Sequence, residues 1–371
     1  MLNRIVKFIK KCFQFLLVVF VSFVFEKDYT YGNTVEYPII TPNVNVGAKA
    51  TSLGGSYVSI ADEVSSIYWN PAGLSQILKP EIESSVSIFN SSFIQSEHFS
   101  LASFGFAYPT RFGTVGIGSY LPIDYYLLDS DLNSEDKIAH RLSIFSYGIN
   151  IFSYMSLGVS LSQVLQSEKV KLPWFATEFI SEQKGVGWEY SIGYLIRLAK
   201  WCNLGGNMRL PYKINWERKA NKEGIEFTGS DSIPFRHTNG ISFHLENTIL
   251  SVEYENRKWS DFRRIKKTGT DQGKYFQYKN YWKDREQMNA LKDDETLLKI
   301  GFVINYFKGI ISLRGGFAKR YQSSDSKINE LSLGTGFIIG NHLKIDLGYD
   351  KRDFEEPSIR SYQTISITYK F

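Results

Sequence analysis

The side chains that could carry out chemistry are few and scattered. The chain has five histidines, His98, His140, His237, His244 and His342, and two cysteines, Cys12 and Cys202. No H-E-x-x-H helix offers a metal site and no G-x-S-x-G turn offers a nucleophile elbow. Ser242 and His244 stand two residues apart on one face of a strand pattern. A hydroxyl beside an imidazole is the start of a hydrolase, as a barrel lipase would need, but no Asp partner is evident in the sequence. Gly334-x-Gly336 lies inside a strand pattern rather than at a helix start, so it cradles no phosphate. These residues predict no enzyme, no metal and no cofactor. Cys12 falls in a leader-like segment, so the mature chain would hold one thiol and no internal disulfide.

A second candidate is binding. Between Arg257 and Arg285 there are ten Lys/Arg and three Asp/Glu, interleaved with Trp259, Phe262, Tyr275, Phe276, Tyr278, Tyr281 and Trp282. Basic residues among aromatics can bind nucleic acid. The formal net charge is only +5, and Arg4, Lys7, Lys10 and Lys11 belong to the leader-like segment, which leaves about +1. Nucleic acid is therefore not expected. On an outer-surface loop the same composition suits lipopolysaccharide phosphates and the headgroup zone, or is simply a solvated loop.

The third candidate is the stretch from Gly47 to Leu74, GAKATSLGGSYVSIADEVSSIYWNPAGL. It is neither a clean strand nor an amphipathic helix. Asn70 before Pro71 favours a turn, and Gly73 is expected at positive φ. Small residues let backbone pack on backbone, while Asp62, Ser65, Ser66 and Asn70 can satisfy main-chain groups locally. Tyr68 and Trp69 could line an apolar binding site or anchor the segment to a wall. The stretch resembles the N-terminal hatch of the FadL-type outer-membrane transporters. It is closest to the PorV/PorQ-like branch, whose hatch typically reads G-A-R-A-x-x-x-G-G-A-Y-V-A-x-A-D-D-x-x-A-x-x-W-N-P-A-G-L. Gly47, Ala48, Lys49, Ala50, Gly54, Gly55, Tyr57, Val58, Ala61, Asp62 and Trp69 to Leu74 match in register. The resemblance implies an all-β transmembrane barrel of about fourteen antiparallel strands, with Gly47, Gly54, Gly55, Asp62, Tyr68, Trp69, Asn70, Pro71 and Gly73 in a plug inside its lumen. That plug could be a gate or a static seal.

The remaining sequence must supply the wall. Residues 1–25 pair a basic start with the apolar run Phe13–Phe25, too short for the ~20 residues of a spanning helix, and read as a secretory signal; an anchor is the alternative. Residues 26–80 would form a periplasmic tail and hatch, and residues 81–371 the barrel. Aromatics are 15% of the chain and Gly is frequent, which suits many half-polar strands. The last strand is the clearest. Ile365, Ile367, Tyr369 and Phe371 alternate with Thr364, Ser366, Thr368 and Lys370. Tyr369 and the terminal Phe371 resemble the assembly signal of outer-membrane barrels, or form an ordinary edge strand. Fourteen strands are predicted near 82–90, 99–107, 113–120, 140–149, 154–163, 188–197, 202–211, 234–244, 248–256, 296–304, 309–318, 330–339, 342–349 and 360–371. Short turns then alternate with long loops at 121–139, 164–187, 211–233, 257–295 and 319–329. A soluble sandwich would show the same alternation of residue types.

In the FadL fold the third strand is kinked and opens the wall sideways. Gly113, Gly116 and Gly118 fall in the third predicted strand, so they either open a lateral exit or make room for the hatch. The reading is a monomeric outer-membrane barrel for passive uptake of small hydrophobic molecules. Its partners would be outer-membrane lipid, lipopolysaccharide and the barrel assembly machinery. The rivals are a PorV-like shuttle in type IX protein secretion and a general porin.

Overall fold

The computed structural model describes residues 46–91, 98–129, 134–174, 177–221, 226–270, 294–321, 327–353 and 359–371. The leader and the 26–45 tail lie outside them, as do Tyr275, Phe276, Tyr278, Tyr281 and Trp282 of the basic segment.

The chain opens with two short helices, α1 (Ala48–Ser52) and α2 (Ser66–Trp69), and a 3-10 turn at Pro71–Gln76. Strands follow: β1 (Glu81–Ser91), β2 (His98–Thr110), β3 (Gly113–Asp129), β4 (Ser134–Phe152), β5 (Met155–Trp174) and β6 (Thr177–Ala199). Next come β7 (Cys202–Arg209), β8 (Tyr212–Ala220), β9 (Glu226–Ile233), β10 (Arg236–Leu245), β11 (Thr248–Arg257) and β12 (Arg263–Thr270). The set ends with β13 (Glu295–Tyr306), β14 (Ile311–Tyr321), β15 (Lys327–Ile339), β16 (Leu343–Asp353) and β17 (Ile359–Lys370).

All seventeen segments belong to one antiparallel sheet. Three staves are each interrupted once: β7 continues into β8, β9 into β10, and β11 into β12. The long β6 shows this directly, pairing with β7 through Ser191–Arg209 and with β8 from Gly187–Ile214. The wall is therefore a fourteen-stranded antiparallel barrel. It closes because β1 pairs with β2 on one side and with β17 on the other, from Glu81–Lys370 to Ser91–Arg360. Closure removes the open edge that a sheet cannot expose to hydrocarbon.

The faces are inverted relative to a water-soluble sheet. Ile365, Ile367 and Tyr369 are 45%, 49% and 42% exposed, while Thr364, Ser366 and Thr368 are buried. The same holds for Val252 and Tyr254 against Glu253 and Glu255, and for Leu298 and Ile300 against Lys299. Apolar residues outside and polar residues inside rule out the sandwich core and fit a wall between lipid and a polar interior.

Each of the fourteen predicted strands coincides with an observed one. Most of them run longer than the sequence pattern marks, whereas β7 and β10 are shorter. Most of 121–139 and 164–187 is strand, belonging to β3, β4, β5 and β6, and 211–233 holds β8 and β9. These extensions alternate without a strong apolar face, for example Lys213, Asn215, Glu217 and Lys219 on the exposed side of β8. Hydrophobic periodicity fades where a barrel wall leaves lipid, although the hydrogen-bond ladder continues.

Candidate functional site

The 46–77 segment is fixed to the buried face of the wall through main-chain capture. The Glu253 carboxylate accepts from the Tyr57 and Val58 amides at 2.9 and 2.8 Å. Ser366 Oγ accepts from the Ala48 amide at 2.8 Å. Asn207 Nδ2 donates to the Trp69 carbonyl at 2.8 Å, and Arg209 Nη2 donates to that of Tyr68 at 2.5 Å.

Asn70 is the hub of the Trp-Asn-Pro-Ala-Gly turn. Fully buried, it donates through Nδ2 to the Val58 carbonyl at 2.8 Å and to Tyr194 of β6 at 2.9 Å. Its Oδ1 accepts from the Ala72 amide at 3.1 Å, and Pro71 begins the 3-10 turn where its missing N–H costs nothing. Gly47, Gly54 and Gly55 take positive φ, but Gly73 does not. The expectation for Gly73 was wrong in mechanism: a Cβ there would run into the Ala61 carbonyl, so close approach demands the glycine. Asp62 also departs from expectation. Rather than capping the chain locally, it accepts from Lys49 Nζ at 2.7 Å and from the Tyr57 hydroxyl at 3.0 Å.

Wall glycines receive this segment. A Cβ at Gly158 would strike Pro71 and Ala72, one at Gly193 would strike Asn70 and Pro71, and one at Gly316 would strike Leu53 and Gly54. On β3, Gly116 sits under Ile67 and Leu74, Gly118 under the ring of Tyr120, and Gly113 under that of Tyr147.

Two ionic networks line the interior. In the first, Lys49 pairs with Asp62 and Glu63 at 2.7 and 3.0 Å, and Lys344 of β16 pairs with Glu63 and, at 2.9 Å, with Asp346. Arg314 completes it at 2.6 Å from Asp346. In the second, Lys299 bridges Glu253 and Glu255, Arg257 bridges Glu255 and Glu295, and Arg320 bridges Glu295 and Glu330. Every ion named in these two networks has an opposite neighbour, either on an adjacent stave or two residues along its own strand.

These pairs set a pH window. Burial alone would raise the Glu63 carboxyl, but Lys344 and Lys49 outweigh it and hold it below its ordinary 4.5. Burial would lower Lys49, yet Asp62 and Glu63 hold it above its ordinary 10.5. A depressed carboxylate contributes stability above its unfolded value that is lost as pH falls; a raised amine contributes stability that is lost only as pH rises past its unfolded value. The Glu63 carboxylate therefore contributes attachment of the 46–77 segment that is present above about pH 4.5 and is lost progressively below it. Hydrogen exchange of residues 46–77 against pH checks this, and protection that stays unchanged well below pH 4.5 would contradict it.

Two cavities flank Tyr68. One has apolar walls from Leu142, Val164, Ile214, Ile233, Phe235 and Trp259, with Arg209, Arg236 and Arg257 at its polar side. Its apolar walls suit a small apolar group. The other is lined by Trp69, by Arg352 and by charges of the second network, including Lys299 and Glu255.

Three structures share this architecture. The CymD monoaromatic hydrocarbon channel superposes with a TM-score of 0.67 at 15% identity, over 89% of this chain and 98% of its own. The fold is that of the FadL-type outer-membrane channels. The Ralstonia pickettii toluene transporter TbuX gives 0.67 at 12% identity, over 89% and 99% of the two chains. A Pseudomonas aeruginosa FadL homologue gives 0.69 at 11% identity with the same coverage. No family model matches the sequence, and no curated protein matches it.

Within this FadL-type barrel the sequence candidates separate. Tyr68 lines both cavities and Trp69 only the charged one, where its Nε1 also ties down the Val46 carbonyl at 2.8 Å. Trp259 and Phe262 are buried, not at the headgroup zone, because a 3-10 turn at Trp259–Asp261 folds them inward. Ser242 and His244 do meet, at 3.0 Å, but the Ser242 hydroxyl is fully buried and donates to the Ser59 carbonyl. It is a structural contact. Among the described residues no group of three His, Cys, Asp or Glu is placed to hold a metal ion. Tyr369 stands on the outward face of the closing strand, its ring edge-on to Phe371 at 5.1 Å, and the Phe371 amide donates to the Pro80 carbonyl. The interior ions and Phe235 went unnoticed in the sequence. The ions' only signal was charge on the polar face of strand patterns, which does not identify partners, and a single Phe beside Pro234 carried none.

Proposed function

We propose that this barrel carries small hydrophobic molecules passively across the outer membrane, with residues 46–77 as a hatch in its bore. The apolar cavity between Tyr68 and the β4, β5, β8 and β9 walls is the observation that carries the reading. An apolar solute partitions poorly into a polar pore and crosses lipopolysaccharide slowly, so a pocket with apolar walls inside the barrel gives it a place to dwell. Its gradient drives the flux, without nucleotide or metal. The monoaromatic hydrocarbon channel and the toluene transporter that share the fold support this substrate class. The in-register match from Gly47 to Leu74 supports the finer placement in the PorV/PorQ-like branch. An N-terminal signal for export, the Tyr369/Phe371 assembly signal and a monomeric state complete the proposal. We assign Gly113, Gly116 and Gly118 to seating the hatch and its aromatic neighbours.

Cells with a lipopolysaccharide outer membrane that express the full chain should take up radiolabelled toluene faster than cells lacking it. Leu142→Trp, which fills the apolar cavity, should reduce that excess about tenfold with the barrel still assembled. No excess uptake, or an unaffected Trp variant, refutes the reading. A large steady conductance in planar bilayers would favour a general porin instead.

A further inference from the structure

Three arginines stand side by side on the inner wall, because Arg236 of β10 pairs directly with Arg209 of β7 on one side and with Arg257 of β11 on the other. Neighbouring strands lie about 4.8 Å apart, and like charges placed directly opposite one another repel. The outer two are neutralised. Arg209 lies 2.6 Å from Glu189, and Arg257 lies 2.7 Å from Glu255 and 2.9 Å from Glu295. The middle one is not. Among the described residues its one ion-pair contact is with Glu255 at 3.9 Å, and that carboxylate already holds Lys299 at 2.6 Å and Arg257. The Arg236 guanidinium donates no hydrogen bond to any described residue.

Arg236 faces the charged cavity, where Gly54, Gly55, Tyr68 and Trp69 form the side that belongs to the 46–77 segment. Six cations line that cavity, Arg209, Arg236, Arg257, Lys299, Arg320 and Arg352, against two carboxylates, Glu255 and Glu330. The remaining counter-charges, Glu189, Glu253, Glu295 and Asp350, pair with these cations but do not line it. The cavity therefore meets the donor side of each pair. Arg352 enters it from β16. It is 2% exposed, its Nε donates to Asp350 at 2.7 Å, and its buried Nη1 has no hydrogen-bond partner. A buried donor without an acceptor costs free energy, and a buried cation flanked by cations costs more.

An oxyanion removes both defects. Guanidinium forks match the paired oxygens of phosphate or carboxylate through parallel N–H bonds. A carboxylate on an apolar body would sit in the apolar cavity, which Arg236 also lines but Arg352 does not. An ion that meets both arginines must lie in the charged cavity, where Leu297 is the only aliphatic side chain among the described lining residues.

We propose that one small inorganic oxyanion of the phosphate type sits in the charged cavity, on Arg236 and on Nη1 of Arg352, between the 46–77 segment and the wall. It neutralises the arginine row, and release of the segment releases the ion. The site is separate from the apolar cavity of the transport reading.

The test is equilibrium dialysis of radiolabelled inorganic phosphate against the purified full chain, in a neutral detergent at fixed ionic strength. The wild type should bind phosphate saturably, one ion per barrel. Arg236→Gln should weaken binding about tenfold or more, and Arg236→Lys, which keeps the charge and loses the fork, about threefold. Lys213→Gln, on the exposed outer face, should leave it unchanged. Glu255 keeps Lys299 and Arg257, so the Gln variant should assemble; if it does not, the Lys variant decides. Hydrogen-exchange protection from Gly54 to Trp69 should rise about tenfold in the wild type when phosphate is at ten times its Kd, and not at all in Arg236→Gln. Absence of saturable phosphate binding overturns the proposal, as does binding that neither Arg236 variant weakens. Benzoate that binds through Arg236 where phosphate does not would assign that residue to the head of an apolar solute, and overturns it as well.

Discussion

Glu63→Gln should free the 46–77 segment from the wall while the barrel stays assembled. Glu63 is buried and receives two ammonium groups, Lys49 from its own segment and Lys344 from β16. The amide keeps the shape but removes the charge, leaving Lys344 with Asp346 and Lys49 with the partly exposed Asp62. Removing one partner of a buried ion pair costs about 3–5 kcal/mol, because the remaining charge stays desolvated. Hydrogen-exchange protection across residues 46–77 should therefore fall by roughly two to three orders of magnitude, with β17 and β1 unaffected. Bilayer conductance should rise as the segment loosens. Glu182→Gln, which breaks an exposed pair with Lys169, should change neither quantity measurably. Unchanged protection in the Glu63 variant would show that main-chain capture by Glu253, Ser366 and Asn207 holds the segment alone.

The second large effect is steric. Gly193→Val should displace the Asn70–Gly73 turn, because the new Cβ occupies the space of Asn70 Oδ1 and the Pro71 ring. Neither neighbour can yield. Asn70 is fixed by bonds to the Val58 and Tyr194 carbonyls, and Pro71 is covalently rigid. Overpacking of this kind costs about 3 kcal/mol or more, and the three hydrogen bonds of Asn70 are lost with it. Trypsin should then cut at Lys49, which is buried in the wild type. Gly340→Ala is the control. Nothing lies within 4 Å of its Cβ, so only the strain of its positive φ remains, about 1 kcal/mol. Wild-type resistance in the Gly193 variant would mean that the turn can shift along the wall.

Several features of the molecule were legible without coordinates. Period-two alternation in segments such as Ser361–Phe371 and Leu298–Ile304 located fourteen strands, because a residue facing lipid must be apolar whatever its neighbours do. The glycine and Asn-Pro pattern of 47–74 marked a segment built for backbone contact, since local chain geometry depends on local residue type. Tertiary structure alone decided which face was buried, because identical alternation serves a soluble sandwich and a lipid-facing wall. It alone matched Glu63 with Lys344 and Glu253 with Lys299, since partners far apart in the chain are chosen by stave order and register. It alone set Arg209, Arg236 and Arg257 in one row. Each reads locally as a single charge on a strand or loop pattern, and only the pairing of β7, β10 and β11 makes the three neighbours.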